Sequence, residues 1–273
     1  MIDPHTTPLE RIAAALERLA PPPPAMADLV AHPAYLWQGE VVVALRDFAP
    51  LPIDRLVGID PQKAAMLANF DRLAAGHAAH DVLLWGARGT GKSALVASAV
   101  AAVQAAGGAL ALVEVPAERI DGLARLFDTL AGVDRRFAVF IDDLGFDRPG
   151  DARALRSLLE GGAQARPDNV RLVVTANRRH LVPRDLSEQD SAINPRDTID
   201  DALALADRFG LSLGFHAIDQ DGYLAIVARG AEQHGLPFDA ADALQWATRR
   251  GSRSGRVAGQ YLVELAGRMG MRI

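Results

Sequence analysis

The 273-residue sequence contains no cysteine. This absence excludes disulfide bonds, thiolate zinc sites, iron–sulfur clusters and cysteine nucleophiles. No apolar run reaches the roughly 18 residues that a membrane span needs, and the first residues lack the basic and apolar pattern of a signal peptide. We therefore expect a cytoplasmic protein that does not associate with membranes. The net charge of -5 disfavours a protein that coats nucleic acid, although it is compatible with a local basic patch.

Lysine is also scarce, because only two of the 29 basic residues are lysines, Lys63 and Lys92. Arginine is used almost everywhere else, so a position that retains lysine needs a reason. We interpret Lys63, one turn into a predicted helix, as a surface residue. The hydrophobic fraction of 49% and the charged fraction of 23% are those of a globular protein. The length suits one large domain or two smaller ones.

Short apolar segments alternate with helical patterns through the middle of the chain. Strands that are apolar throughout and separated by helices indicate a parallel sheet covered on both faces. We therefore predict an α/β fold with a parallel five-stranded sheet and flanking helices. The predicted strands are 81–85, 110–115, 137–141, 170–175 and 211–215, and the predicted helices are 60–75, 92–106, 118–130 and 152–165.

The pattern changes after about residue 218, where three helical segments follow without another strand. They cover 219–234, 239–250 and 255–269 and predict a small helical domain packed on the α/β domain. Near the start, a predicted helix at 6–20 precedes four prolines, and 40–45 is compatible with a strand. The predicted division is an N-terminal arm with a proline-rich spacer (1–50), an α/β domain (51–217) and a helical domain (218–273). The segment 181–205 has few apolar residues, and either a partner site or disorder would explain it.

A phosphate-binding motif follows the first strand of the α/β domain. The run Gly86-Ala-Arg-Gly-Thr-Gly-Lys-Ser93 matches G-x-x-x-x-G-K-[ST] and is followed by a helix, as this motif requires. Glycines let the loop turn its N–H groups toward phosphate oxygens, and the helix adds its positive N-terminal end. Lys92 is predicted to reach the β- and γ-phosphates, and the Ser93 hydroxyl is predicted to ligate Mg²⁺. The predicted nucleotide-binding residues of the loop are Gly86, Ala87, Arg88, Gly89, Thr90, Gly91, Lys92, Ser93 and Ala94.

A second motif ends the strand at 137–141, where two carboxylates follow the apolar run. Asp142 is predicted to hold Mg²⁺ directly or through water, because the carboxyl ends of parallel strands lie at the same sheet edge. Asp143 is the candidate base that orients the attacking water. About 50 residues separate this pair from the P-loop, which is the expected spacing.

Together these motifs resemble those of AAA+ ATPases, over roughly residues 50–273. The segment 53–60, with Val57 and Gly58, resembles the part that flanks adenine in such domains. Further resemblances imply that Asn177 senses the γ-phosphate or the lytic water, that Arg208 is an arginine finger acting on a neighbouring subunit, and that Arg256 lies in a lid helix and closes on the phosphates. The helical domain at 218–273 would then be the lid, and ATP or ADP with Mg²⁺ the ligand.

Several longer segments are more closely similar to a bacterial AAA+ family of ATP-binding proteins whose role its name does not supply. They include Trp85–Ser93, Ala165–Val170, Ala176–Leu181 and Ser254–Ala258. The chain departs from most active AAA+ ATPases at Asp143, where those enzymes have glutamate. Aspartate is one methylene shorter, so its carboxylate lies roughly 1.5 Å back and hydrolysis is expected to be slow or to use an extra water. A similar Asp-Asp run occurs in transposition helper ATPases.

Three hypotheses follow. The first is a Mg²⁺-dependent ATP hydrolase that works as a homo-oligomer, a ring or an ATP-dependent assembly, and remodels an unknown protein partner. The second is a nucleic-acid-associated loader resembling transposition helpers, supported by arginines at 178–184 and 249–256 but opposed by the acidic balance. The third is a nucleotide switch or scaffold that binds ATP and barely hydrolyses it, motivated by Asp143. Arg178 and Arg179 are the alternatives to Arg208 as the finger, and Arg249, Arg250 and Arg253 are the alternatives to Arg256.

Overall fold

A computed structural model describes residues 7–19, 25–144, 159, 166–177 and 207–273. Within these residues one seven-stranded sheet forms the centre of the fold. Its strands are β1 (Ala34–Trp37), β2 (Val42–Ala44), β3 (Val82–Gly86), β4 (Leu110–Glu114), β5 (Arg136–Ile141), β6 (Val170–Asn177) and β7 (Leu211–Phe215). Their order across the sheet is β2-β1-β4-β5-β6-β3-β7.

All five predicted strands are confirmed, as β3 to β7, with ends that differ by at most two residues. They pair in parallel, and the register sets Gly86 at the end of β3 between Asn177 of β6 and Phe215 of β7. Every strand of this group therefore brings its carboxyl end to the same edge of the sheet. This is the edge where α/β sheets bind ligands.

The predicted number of five strands is wrong, because β1 and β2 extend the sheet beyond β4. β1 runs parallel to β4, pairing Ala34 with Leu112, and β2 pairs with β1 in antiparallel fashion. The segment 40–45, compatible with a strand in the sequence, contains β2, whereas β1 has only four residues, which is too short for a periodic pattern to identify it. Residues 34–44 thus belong to the sheet, although the sequence assigned them to an N-terminal arm.

The helices are α1 (Pro8–Leu19), α2 (Asp60–Ala74), α3 (Lys92–Ala105), α4 (Leu123–Leu130), α5 (Gln220–His234), α6 (Ala240–Arg249) and α7 (Gly255–Arg268). Short 3₁₀ turns cover Ile53–Arg55 and Ala117–Gly122, so the helix predicted at 118–130 is regular only from Leu123 onward. The predicted helix at 152–165 and the segment 181–205 lie outside the described residues, apart from Leu159. No helix of the described residues is long and apolar enough to cross a membrane.

Apolar side chains fill both faces of the sheet. On one face α2 and α3 bury Phe70 and Leu95 against strand residues, and on the other α4 buries Leu126. A separate cluster joins α5, α6 and α7 around Tyr223 and Tyr261, both fully buried. The apolar side of α1 is exposed, by contrast, at Leu9, Ile12 and Leu16.

The three C-terminal helices begin where the sequence predicts them, because each has a capping side chain. Asp219 accepts a hydrogen bond from the backbone N–H of Gly222, and Asp239 accepts one from Ala241. Ser254 caps α7 by accepting from the N–H of Val257. Such caps satisfy N–H groups that have no partner inside the helix.

Candidate nucleotide-binding site

The loop between β3 and α3 is shaped by its glycines. Gly86, Gly89 and Gly91 have φ angles of 136°, 74° and 95°, which other residues rarely adopt. A side chain at Gly86 would also overlap with the carbonyl group of Phe215 on β7. The conformation of the loop therefore requires glycine at these three positions. The loop leads directly into the N-terminus of α3.

Lys92 is the first residue of α3, and its side chain turns back over the loop. Its Nζ donates hydrogen bonds to the carbonyl oxygens of Gly86 (3.0 Å) and Ala87 (2.7 Å). The residue is buried, and this desolvation lowers its pKa. Asp142 and Asp143 oppose the shift, while Arg88 adds to it. A lysine in this position needs anions near it, and phosphate oxygens would provide them.

Ser93 and Asp142 form the second part of the site. The Ser93 hydroxyl donates to Asp142 Oδ1 at 2.7 Å, so helix α3 and the end of β5 meet here. The buried Thr175 hydroxyl donates to the same oxygen at 2.5 Å. A hydroxyl and a carboxylate oxygen are hard donors of the kind that Mg²⁺ prefers, and Mg²⁺ typically takes its other ligands from phosphates and water. The donor set therefore fits a Mg²⁺ ion that is bound together with a nucleotide.

Asp143 is held in an unusual backbone conformation. Its φ angle of 49° is the one positive value among the non-glycine residues that the structure describes. Its N–H donates to Thr175 Oγ1 (2.7 Å) and to Asp142 Oδ1 (3.0 Å). Its carboxylate accepts from Asn177 Nδ2 and lies 3.4 Å from Arg88 Nη2. Positive φ at a non-glycine residue is stabilised by its surroundings and is concentrated at functional sites.

A cavity of about 560 Å³ opens beside these residues. Its wall includes the loop from Arg88 to Ala94, the two aspartates, Thr175 and Asn177. The remaining wall comes from two further segments of the chain: Leu51, Arg55, Leu56, Val57 and Ile59, and Ile218, Ile226, Gly255 and Arg256. Gly58, Gly86 and Ala87, predicted from sequence, do not line the cavity, although the carbonyl oxygens of Gly86 and Ala87 accept from Lys92. The wall thus combines polar and charged groups with apolar side chains, and the volume lies in the range usual for small-molecule sites.

The C-terminal helices reach the cavity through the start of α7. The N–H of Gly255 donates to the carbonyl oxygen of Gly89 at 2.9 Å, so this helix touches the phosphate loop directly. Arg256, in the first turn of α7, lines the cavity. The alternatives considered from sequence, Arg249, Arg250 and Arg253, do not line the cavity. Arg250 instead lies over the Trp246 ring, 4.6 Å from its centroid. The geometry therefore favours Arg256 as the cation that faces a ligand from this side.

Arg208 lies away from the cavity of its own chain. It precedes β7, whose first residue pairs with Val82 at the start of β3, whereas the phosphate loop follows the end of β3. The length of β7 alone, at about 3.3 Å per residue, separates the two sheet edges by more than 10 Å. Arg208 and the phosphate loop are therefore not brought together within one chain. Arg178 and Arg179 lie outside the described residues.

Several site residues were missed by sequence reasoning. Thr175 falls in a predicted strand and is not among the predicted site residues, although a polar residue in an otherwise apolar buried strand indicates a special role. Glu114 ends β4 beside the site, and burial together with the charge of Asp142 raises its pKa. Lys63 is not a simple surface residue, because its Nζ donates to the Leu56 carbonyl oxygen at 2.8 Å and supports the cavity wall. No local pattern predicts that contact.

The geometry and the sheet order define a P-loop fold of the AAA+ type, and comparisons with known proteins agree. Thermotoga maritima RuvB, described as a Holliday junction branch migration motor, matches with a TM-score of 0.52 and 17% identity over 82% of this chain and 68% of its own. A point mutant of the same RuvB matches with a TM-score of 0.54 and 18% identity over 81% and 68%. Aeropyrum pernix Orc1 in complex with DNA matches with a TM-score of 0.52 and 16% identity over 82% and 66%.

At these identities the likeness concerns the fold, and the predicted AAA+ fold class is confirmed. The family follows from the sequence itself. Residues 30–269 match the family described as "Protein of unknown function (DUF815)", and the chain belongs to that family. The match includes β1 and β2, which agrees with their place in the sheet. No curated protein is significantly similar to the chain.

Proposed function

We propose that the protein binds ATP with Mg²⁺ in the 560 Å³ cavity and hydrolyses it as an AAA+ ATPase. One observation carries the proposal: Lys92, the Ser93–Asp142 pair and Arg256 all border the same cavity, although they come from three different parts of the chain. Lys92 and Arg256 supply positive charge, and the oxygens of Ser93 and Asp142 are of the kind that binds Mg²⁺. This combination suits a metal-bound triphosphate. The apolar wall formed by Leu56 and Ile226 suits a nucleobase.

In this proposal each group has a separate task. The N–H groups of the loop and the Lys92 ammonium bind the phosphates. Ser93 and Asp142 would hold Mg²⁺, which would supply positive charge to neutralise the phosphates. Asp143 accepts a proton from, or orients, the attacking water, with Asn177 fixing its carboxylate. Arg256 reports the state of the phosphates to the helices at 218–273, which act as a lid.

We further propose that the active form is a homo-oligomer. The position of Arg208 supports this, because this side chain belongs to the sheet edge opposite the phosphate loop of its own chain. A neighbouring subunit could present that edge to the cavity, and a guanidinium there would stabilise charge that develops on the terminal phosphate. ATP would then strengthen the contact between subunits and hydrolysis would weaken it, so that the assembly acts on an unidentified protein partner.

A slow nucleotide switch is the second candidate, and one observation favours it. Asp143 is shorter than the glutamate usual at this position, and its carboxylate is already bonded to Asn177 and paired with Arg88. A carboxylate held in this way reaches a water less easily. In this alternative the protein binds ATP, changes its lid position or assembly, and turns over only rarely.

Steady-state phosphate release and light scattering, measured on the same sample with and without Mg-ATP, test these proposals. Turnover together with an ATP-dependent increase in molar mass supports the oligomeric ATPase. An increase in molar mass without turnover supports the switch instead. If the protein shows neither turnover nor an increase in mass, and also binds no nucleotide, the cavity assignment is contradicted. Because RuvB and Orc1 are described with a Holliday junction and with DNA, the turnover assay should also include double-stranded DNA as a possible stimulator.

A further inference from the structure

Arg88 is a charged residue inside the phosphate loop that the proposed chemistry leaves without a task. It lies between Gly86 and Gly89, lines the cavity, and keeps 77% of its side chain exposed. Its Nη2 lies 3.4 Å from Asp143 Oδ2, so a cation of the loop is paired with the candidate base across the mouth of the cavity. The exposed side chain has room to change partner without disturbing the core.

The electrostatic surroundings connect Arg88 with the phosphate-binding lysine. Arg88 lowers the pKa of Lys92, whereas Asp142 and Asp143 raise it, after the larger lowering by burial. Two cations and two carboxylates therefore share one small region. In the structure each carboxylate is bonded within the protein, Asp142 to Ser93 and Asp143 to Arg88. A bound triphosphate with Mg²⁺ adds negative charge to this region, and the cations would have to redistribute.

The position of Arg88 also indicates which phosphate it would meet. Asp143 is the candidate base, so a side chain that touches it lies at the end of the cavity where the terminal phosphate and the attacking water belong. The cavity wall also includes the apolar side chains of Leu56 and Ile226, which suit the nucleobase rather than the phosphates. A diphosphate would leave the position of the terminal phosphate empty, and Arg88 would keep Asp143 as its partner.

We propose that Arg88 distinguishes ATP from ADP by exchanging Asp143 for the terminal phosphate, which both binds the triphosphate and releases the candidate base. This inference rests on the proposed nucleotide site. An exposed ion pair such as Arg88–Asp143 changes an equilibrium by less than about fivefold. A charge-assisted hydrogen bond from a guanidinium to phosphate is stronger, about tenfold or more. The exchange therefore favours the phosphate.

Calorimetric titration with the non-hydrolysable analogue AMP-PNP and with ADP, each with Mg²⁺, tests this proposal. Arg88→Ala is expected to weaken AMP-PNP binding by about tenfold and ADP binding by less than about twofold. Arg88→Lys keeps a cation and should recover part of the loss. Arg125→Ala is the matched control, because Arg125 is also an exposed arginine paired with an acid, Glu40 at 3.9 Å, but lies outside the cavity. It should leave both affinities unchanged.

A double-mutant comparison tests the exchange itself. Asp143→Asn removes the partner that Arg88 must leave, so AMP-PNP should bind more tightly, and this gain should shrink when Arg88 is already alanine. An equal gain in both backgrounds would refute the exchange. Equal loss of AMP-PNP and ADP in a folded Arg88→Ala variant would refute the discrimination and leave the nucleotide site intact. If the unaltered protein bound neither nucleotide, the proposed function would fail first.

Discussion

Thr175 offers a test of how the metal end of the cavity is held. Its side chain is buried, its hydroxyl donates to Asp142 Oδ1 at 2.5 Å, and the same hydroxyl accepts from the N–H of Asp143 at 2.7 Å. One hydroxyl thus orients the proposed Mg²⁺ ligand and fixes the backbone of the candidate base. Thr175→Val keeps the shape of the side chain and removes both hydrogen bonds.

The cost of this change can be worked from the contacts. A hydrogen bond to a charged group contributes about 1.5–3 kcal/mol, while the Asp143 N–H keeps Asp142 Oδ1 as an acceptor at 3.0 Å and loses less. We expect a loss of about 2–3 kcal/mol in the free energy of unfolding, which for a chain of this size lowers Tm by roughly 5–10 °C. Metal affinity should fall about tenfold, because Asp142 loses a partner that orients it.

Thermal unfolding and the Mg²⁺ concentration that gives half-maximal AMP-PNP binding are the two measurements. Thr175→Ser keeps the hydroxyl and should restore the metal dependence. Thr129→Val is the matched control, since Thr129 is partly exposed on α4, lies outside the cavity, and its hydroxyl donates to the Arg125 carbonyl oxygen one turn earlier in the same helix. If Thr175→Val lowers Tm while its Mg²⁺ dependence equals that of the unaltered protein, the hydroxyl is merely structural and the reasoning about Asp142 is refuted.

Three further predictions concern other parts of the site. Lys92→Ala removes the buried ammonium and should reduce turnover by about a hundredfold or more, and normal phosphate release would contradict the P-loop assignment. Arg208→Ala should lower turnover at least about a hundredfold while nucleotide affinity, measured by titration, stays within about twofold, because this arginine is proposed to act on a neighbouring subunit. Unchanged turnover would show that the finger lies elsewhere. Glu114→Gln should raise Tm near neutral pH, since burial disfavours the ionised carboxylate and raises its pKa above the ordinary 4.5. That cost is present above pH 4.5 and disappears below it, so the variant and the unaltered protein should converge in acid thermal scans.

Local motifs predicted which residues of the phosphate-loop motif and of strand β5 come together at the candidate site. The loop from Gly86 to Ser93 and the carboxylate Asp142 meet in space because the strands before them are parallel and end at one sheet edge. Parallel pairing follows from the alternation of apolar strands and helices, which is visible in the chain itself. The positions of these residues were therefore consequences of periodicity and sequence spacing.

Contacts between distant segments were less predictable. Strand β1 carries too few residues for a pattern, and Ala34–Trp37 joins the sheet by pairing with β4 on the side that β5 does not occupy. The choice of Arg256 over Arg250 likewise depends on how α7 approaches Gly89 and on the Trp246 ring that Arg250 covers. Helix periodicity places both arginines on the surface of the C-terminal helices but does not orient these helices relative to the sheet.

Residues close together in the chain are enough to predict the α/β fold class, the phosphate-loop motif and Asp142 as the candidate metal-binding carboxylate. Three contacts emerge only in the folded chain: Thr175 bonds to both aspartates, Lys63 bonds to the cavity wall at Leu56, and Arg88 pairs with Asp143. Each of those contacts joins side chains to groups on other elements. Their distances depend on packing across the sheet and the loop, which residue type and spacing do not specify.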